Sequence, residues 1–238
     1  MTPYRGHLVE MAEGQSSPEL DFLFAEGRRR TFKAGEHLIT EGEATDYVYD
    51  LLDGTVALVR NGSDGRRQIL SFLGARQFLG AASTRNYPNL ATALNDVTAI
   101  SYPSAALERA LDTTPGFASE FRRVLTRILE AAHDHVYTVG QRSAMERVAS
   151  FLLYLRSNQA RFHPEGPREK SIDIDLPMTR SDIADFLGLK IETVSRSFSA
   201  LKRAGIVSYD NSHACRIENL DQIRRLGGRD DFTQHRGA

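Results

Sequence analysis

The chain has 238 residues, 41% of them apolar, and a single cysteine. That length supports one large core or two modest ones. The lone Cys215 excludes an intramolecular disulfide framework and is expected of a reducing cytoplasm. No apolar run approaches the roughly 20 residues of a membrane helix. The net charge of −1 hides an asymmetry: 14 basic against 18 acidic residues through Val139, then 16 against 13 from Gly140. The second half is therefore the one suited to an anionic partner, by placement more than by bulk charge.

Residues 1–17 lack the basic-then-apolar order of a secretory signal and are expected to be a mobile tail. From about Gly27 to Tyr102 the chain reads as short strands. RRTFK, EHLIT, YVYDLL, TVALVR and QILSFL are β-rich runs, separated by the turn signals KAGE, EGEATD, LDG and NGSDG. Many short strands at near-regular spacing predict a small barrel or jelly roll over residues 18–113.

Helical periodicity takes over near Pro115. One apolar stripe comprises Phe117, Phe121, Val124, Ile128, Ala131 and His135. A second comprises Leu125, Leu129, Ala132, Val136 and Val139. Steps of four and three are the spacing of a coiled-coil seam. A helix apolar on two stripes needs two partners. Residues 114–139 are therefore expected to be a dimerisation helix, with one stripe facing the barrel and the other a second subunit. The residues assigned to the dimer interface are Phe117, Phe121, Val124, Leu125, Ile128, Leu129, Ala132, His135, Val136 and Val139. The alternative is a core helix within one chain. A further helix is predicted over Ala144–Leu155, a loop over Asn158–Lys170 and a short strand over Ile172–Leu176.

Residues Thr179 to Val207 carry the strongest signal. Two short helical patterns flank Gly188, which is the sequence form of a helix-turn-helix. Thr179 caps the first helix, with Asp182 three residues on completing a capping box. Ile183, Ala184 and Leu187 form its buried face. The second helix starts near Ile191, with Lys190 as a poor N-cap, and buries Val194, Phe198 and Leu201. That leaves Glu192, Ser195 and Arg196 outward on one face. Arginine can donate two bonds to guanine, glutamate can accept from cytosine N4, and serine can contact either base or a thymine methyl. These three are assigned to base contact. Thr179, Arg180, Ser181, Lys190, Thr193, Ser199 and Lys202 are assigned to phosphates, which position without specifying. The alternative for Glu192 and Arg196 is a surface ion pair four residues apart. Ile206–Tyr209 and Cys215–Ile217 then read as a small hairpin, the wing. Ser212 or His213 in its turn is placed for the duplex backbone, though a plain turn explains them equally.

Taken together, these residues resemble the CRP/FNR family over about residues 20–226. The segment GEHLITEGEATDYVYDLLDGTVALVRNGSDGRRQILSFLGARQFLG has the look of the family's sensor domain. GLKIETVSRSFSALKRAGIV is the more specific match. Glu192-x-x-Ser195-Arg196 is similar to the anaerobic-regulator and FixK branch, which reads TTGAT half-sites in an inverted repeat. DGRRQILSF and LPMTRSDIADFLGLKIETVSR look closest to FixK-type regulators of low-oxygen respiration and nitrogen fixation. The resemblance implies an α+β chain. It would consist of an N-terminal antiparallel β-roll like a cyclic-nucleotide-binding domain, a long dimerisation helix, and a C-terminal winged helix-turn-helix over 140–238. It implies a homodimeric cytoplasmic activator whose partners are double-stranded DNA and RNA polymerase, with no membrane and no enzymatic role. The Asn61–Arg67 loop is one candidate polymerase surface.

Departures from the family bear on the signal. Members that bind cyclic nucleotides carry a Gly-Glu-Leu-type phosphate cassette and an Arg-Ser/Thr-Ala pair. Here Gly80 is followed by Ala81-Ala82, and Tyr87-Pro88-Asn89-Leu90-Ala91 stands where the arginine is expected. A bound phosphate would lack its counter-charge. The cysteine cluster of the iron-sulfur members is missing. No cofactor or metal is expected. His133 and His135 point about 200° apart on a helix, unsuited to sharing one ion. The sequence is also compatible with an unidentified ligand in the roll, haem on His37, His133 or His135, a nucleotide-binding module without a DNA role, and a cupin-type metal enzyme.

Overall fold

The computed structural model describes residues 6–81, 84–162, 172–210 and 213–228. It comprises two units, the first ending at Leu129 and the second beginning at Glu130.

The first unit is a roll of two four-stranded sheets. One has the order β1 (Arg28–Phe32), β8 (Val97–Pro103), β3 (Tyr47–Asp53), β6 (Phe78–Leu79). The other has the order β2 (His37–Ile39), β7 (Leu90–Ala93), β4 (Val56–Asn61), β5 (Arg67–Leu73). All the pairings are antiparallel, as expected of a jelly roll. The five runs read from the sequence match β1 to β5 within one or two residues. Alternation along β7 and β8 turns Ala91, Ala93, Val97 and Ala99 inward, where they meet Leu51, Val56 and Leu79. The β3–β4 turn depends on Gly54, at φ +88°. A Cβ there would lie 2.4 Å from the Asp96 carbonyl oxygen, so only glycine fits. Tyr87 inserts its ring into this interior and is buried. Its phenol donates to the Tyr47 carbonyl at 2.5 Å and accepts from the Tyr47 N–H at 3.1 Å.

Residues 7–17 are not a tail. α1 (His7–Met11) buries Leu8 and Met11, and α2 (Pro18–Ala25) buries Leu20 and Leu23. Ser17 caps α2 by accepting from the Leu20 N–H. α1 is held by a distant carboxylate. Asp50, on β3 and fully buried, accepts from the His7 and Leu8 N–H groups at 3.0 and 2.8 Å. These are orphan donors of a helix start, and an anion there satisfies them. Gly6 lets the carboxylate approach, since a Cβ at that position would overlap it.

α3 (Ser104–Thr113) leads into α4 (Pro115–Gln141). Phe117, Phe121 and Val124 on α4 are buried in one cluster with Leu8, Leu23, Phe78, Tyr102 and Leu107. Phe121 stacks on Phe78 at 5.0 Å. These three therefore cannot serve a dimer interface, because their own roll already covers them. The adjacent stripe is open, with Leu125, Leu129 and Val136 41%, 55% and 70% exposed, and Ile128 of the first stripe is 48% exposed beside it.

In the second unit, α5 (Ala144–Phe162) is the central helix, extending past the predicted end at Leu155 into the stretch read as loop. The rest of that loop, 163–170, lies outside the described residues. α5 buries Val148, Ala149, Phe151, Leu152, Leu153 and Leu155. α8 (Leu220–Gly227), which the sequence reading missed, docks on it so tightly that a Cβ at Gly227 would lie 2.8 Å from Leu153. β9 (Ile172–Asp175) pairs with β11 (Ala214–Ile217), which pairs with β10 (Val207–Ser208), all antiparallel. The wing is thus three-stranded. His135 leaves the seam as well: its ring stacks on Phe186 at 4.1 Å, and burial holds its pKa below the usual imidazole value.

Burial pushes the Asp50 carboxyl up to about 6, against the two N–H bonds that favour its charge. A folded pKa above the unfolded one contributes stability that is complete below about 3.8 and lost as pH rises through about 6. Protection of the Leu8 and Val9 amides from hydrogen exchange, corrected for intrinsic rates, is therefore expected to weaken from pH 5 to pH 7. The neighbouring His7, whose pKa burial lowers, works in the opposite sense. Comparison with Asp50→Asn isolates the carboxylate, and an identical pH slope in both proteins would refute its role.

Candidate nucleic-acid interface

α6 (Arg180–Leu187) begins at a complete capping box. The Thr179 hydroxyl accepts from the Asp182 N–H at 3.1 Å, and the Asp182 carboxylate accepts from the Thr179 N–H at 2.9 Å. The helix ends at Gly188, in left-handed geometry (φ 62°, ψ 40°), which favours glycine. α7 (Ile191–Arg203) follows, with Lys190 as an N-cap that makes no side-chain capping bond. Val194, Ser197, Phe198 and Leu201 are buried along one side of α7.

The opposite side carries the base-reading candidates. Glu192, Ser195 and Arg196 are all exposed, and their spacing of three and four residues places them on one face. The ion-pair alternative is not realised among the described residues. Arg196 makes a weak 3.4 Å contact to the Thr193 hydroxyl, and no salt bridge joins it to Glu192. An unpaired guanidinium and carboxylate at a helix start are free to seek base edges. Ile191 is also exposed, 44%. The sequence reading assigned it no role, though its position one residue before Glu192 was the available signal.

The phosphate candidates divide. Ser181 and Lys190 are exposed, Thr193 and Ser199 half-buried. The Thr179 hydroxyl is engaged in the cap, and the Ser199 hydroxyl donates to the Ser195 carbonyl. His213 is exposed beside the wing turn, and Ser212 lies outside the described residues. Arg180 does not extend into solvent. Its guanidinium lies 3.5 Å above the Phe198 ring centroid and 5.6 Å from that of Tyr209, and burial lowers its pKa. Lys202 reaches back, donating to the Tyr209 carbonyl at 2.7 Å. Cys215 is buried on β11, and burial pushes its thiol up to about 11, so it stays protonated and unreactive at neutral pH.

Of the haem candidates, His37 shares a 3.0 Å hydrogen bond with Thr92, His133 is exposed, and His135 is packed on Phe186. Among the described residues, no group of three or more His, Cys, Asp or Glu side chains is placed to hold a metal. Nor is any helix long and apolar enough to cross a membrane.

A jelly roll, a long helix and a C-terminal helix-turn-helix with a β-wing define the architecture of a transcription regulator. Comparison with known proteins agrees. The profile of the cyclic nucleotide-binding domain matches residues 29–114, and that of the Crp-like helix-turn-helix domain matches 146–226. The chain is 37% identical to the nitrogen fixation regulation protein FixK of Bradyrhizobium diazoefficiens, over 76% of this chain and 75% of that one. It is 39% identical to the transcriptional activatory protein AadR of Rhodopseudomonas palustris, over 72% and 70%. The solved structure of FixK2 from Bradyrhizobium japonicum superposes with a TM-score of 0.75 at 30% identity, covering 84% of this chain and 96% of that one. The chain belongs to the CRP/FNR family of transcription regulators, in its FixK branch.

Lys190 is the one cap in the motif that sacrifices helix stability. Lys190→Ser is expected to stabilise the unit by about 1 kcal/mol, read as a higher Tm, while weakening binding to any duplex. Unchanged DNA affinity would show that the lysine serves no phosphate.

Proposed function

We propose that the chain acts as a homodimeric transcription activator that reads a TTGAT-N4-ATCAA-like inverted repeat. Each α7 enters a major groove, with half-site centres about one helical turn apart. The observation that carries this reading is the edge of Glu192, Ser195 and Arg196, exposed and without ion pairs among the described residues, on a helix whose other side is buried. Arg196 donates to guanine O6 and N7, Glu192 accepts from cytosine N4, and Ser195 and Ile191 meet neighbouring edges or a thymine methyl. Ser181, Lys190, Thr193 and His213 hold the phosphates.

Pairing runs along α4. Leu125, Ile128, Leu129, Ala132 and Val136 keep the four-and-three spacing of a seam, and all are exposed. A contiguous apolar stripe of this kind marks an association surface. The Asn61–Arg67 loop is the surface offered to RNA polymerase, and its residues are exposed. Control of low-oxygen respiration or nitrogen fixation genes is the role that the FixK relatives suggest. Because Ala81-Ala82 follow Gly80 where a nucleotide cassette carries its carboxylate, and Tyr87-Pro88-Asn89-Leu90-Ala91 holds no arginine, activity follows the abundance of the protein in the cytoplasm.

A gel shift on the TTGAT-N4-ATCAA duplex tests the reading. Arg196→Ala is expected to cost about 1–3 kcal/mol on that site and to relax choice at the guanine. Equal loss on cognate and random DNA would contradict the base-reading role. Leu129→Glu or Val136→Glu is expected to convert the protein to monomer in sedimentation and to weaken cognate binding by about tenfold or more through loss of bivalency. A dimer that survives both substitutions would place the interface elsewhere.

A further inference from the structure

Arg180 is the first residue of α6, a position from which an extended arginine would meet the duplex backbone. It is not extended. Its guanidinium stacks on Phe198, which is 1% exposed and forms the core anchor of α7. Its Nη1 is buried with no hydrogen-bond partner among the described residues. A planar guanidinium on an aromatic face is a favourable packing mode, stronger when desolvated. Leaving that face to grip a phosphate would forfeit the contact and open a gap beside Phe198.

Tyr209, which follows β10 at the base of the wing, completes the arrangement. Its ring meets Phe198 edge-on at 6.2 Å, an interplanar angle of 83°. The Lys202 ammonium lies 4.5 Å from the Tyr209 ring centroid and donates to the carbonyl of the same residue. Three elements thus converge: the start of α6 through Arg180, α7 through Phe198 and, in its last turn, Lys202, and the wing through Tyr209.

We propose that Arg180 is a positioning residue for the reading helix and not a phosphate ligand. Packed against Phe198 and Tyr209, it fixes the rotation of α7 about its own axis, and so fixes which base edges Glu192, Ser195 and Arg196 reach. The inference rests on the DNA-reading role proposed above. Side-chain tips lie roughly 5–6 Å from a helix axis, so a turn of about 10° moves them by about 1 Å. That displacement is enough to spoil a bidentate contact. Phe198 lies three residues from Ser195, so any slackening there is felt at the reading edge.

The test uses full-length protein in fluorescence anisotropy across a range of salt concentrations. One duplex is TTGAT-N4-ATCAA and the other has the guanine of each half-site replaced. Arg180→Met is expected to weaken cognate binding by about tenfold and to cut discrimination between the duplexes by about fivefold. The slope of log K against log salt should move by less than about 0.5, because no phosphate contact is lost. Tyr209→Leu, which removes no charge, is expected to reproduce the loss of discrimination. Arg180→Lys, which keeps the cation near the ring, should restore part of it. A slope lowered by about 1.8, two phosphates per dimer, with equal losses on both duplexes would make Arg180 a phosphate ligand and overturn the proposal. A lowered Tm with discrimination intact in Arg180→Met and Tyr209→Leu would reduce both residues to ordinary packing and overturn it equally. Wild-type protein that holds both duplexes alike would remove the DNA-reading premise itself, and the inference with it.

Discussion

A helix that buries one side has no choice about the other, and this constraint on α7 organises the second unit. Val194, Phe198 and Leu201 are inside, so the residues at 192, 195 and 196 are outside. Everything around α7 serves to hold that orientation. Gly188 permits the bend that admits the helix, the capping box of Thr179 and Asp182 starts the one before it, and the wing presses Tyr209 against its flank. The exposed edge proposed to read bases is therefore defined by hydrophobic burial on the far side, a more robust device than a set of polar contacts among its own residues.

The second unit was legible where its signals are local. Thr179, Asp182 and Gly188 punctuate the chain within a few residues of the elements they delimit, and the apolar spacing of α7 is regular. The strand runs of the roll were legible for the same reason, since alternation and turn residues act over short range. α1 was not legible. It has five residues, too few to be stable alone, and its donors are satisfied by Asp50, more than forty positions later. No local pattern encodes that. α8 does carry a local signal, in the Asn219 cap and the apolar spacing of Leu220 and Ile223.

The long side chains were the least legible features of the candidate site. The sequence places Arg180 at the start of a helix but does not say whether the guanidinium extends or folds back, which depends on Tyr209 in a different element. On α4 the two stripes were visible, but not which of their residues the roll covers. The assignment of Phe117, Phe121 and Val124 to the dimer seam failed because spacing alone cannot tell an intrachain partner from an external one. His135 failed similarly: its ring had an aromatic neighbour, Phe186, that no periodicity announces.

The ring inside the roll has a bearing on how such a protein acquires or forgoes a small-molecule signal. Any guest competing for that interior must first evict a phenol that occupies both the donor and the acceptor of Tyr47. It must then supply replacements, or leave the Tyr47 N–H and carbonyl without the partner that Tyr87 provides. Position 87 is thus the first that would have to change before this barrel could host a signalling molecule, and a smaller residue there is the starting point for engineering one in.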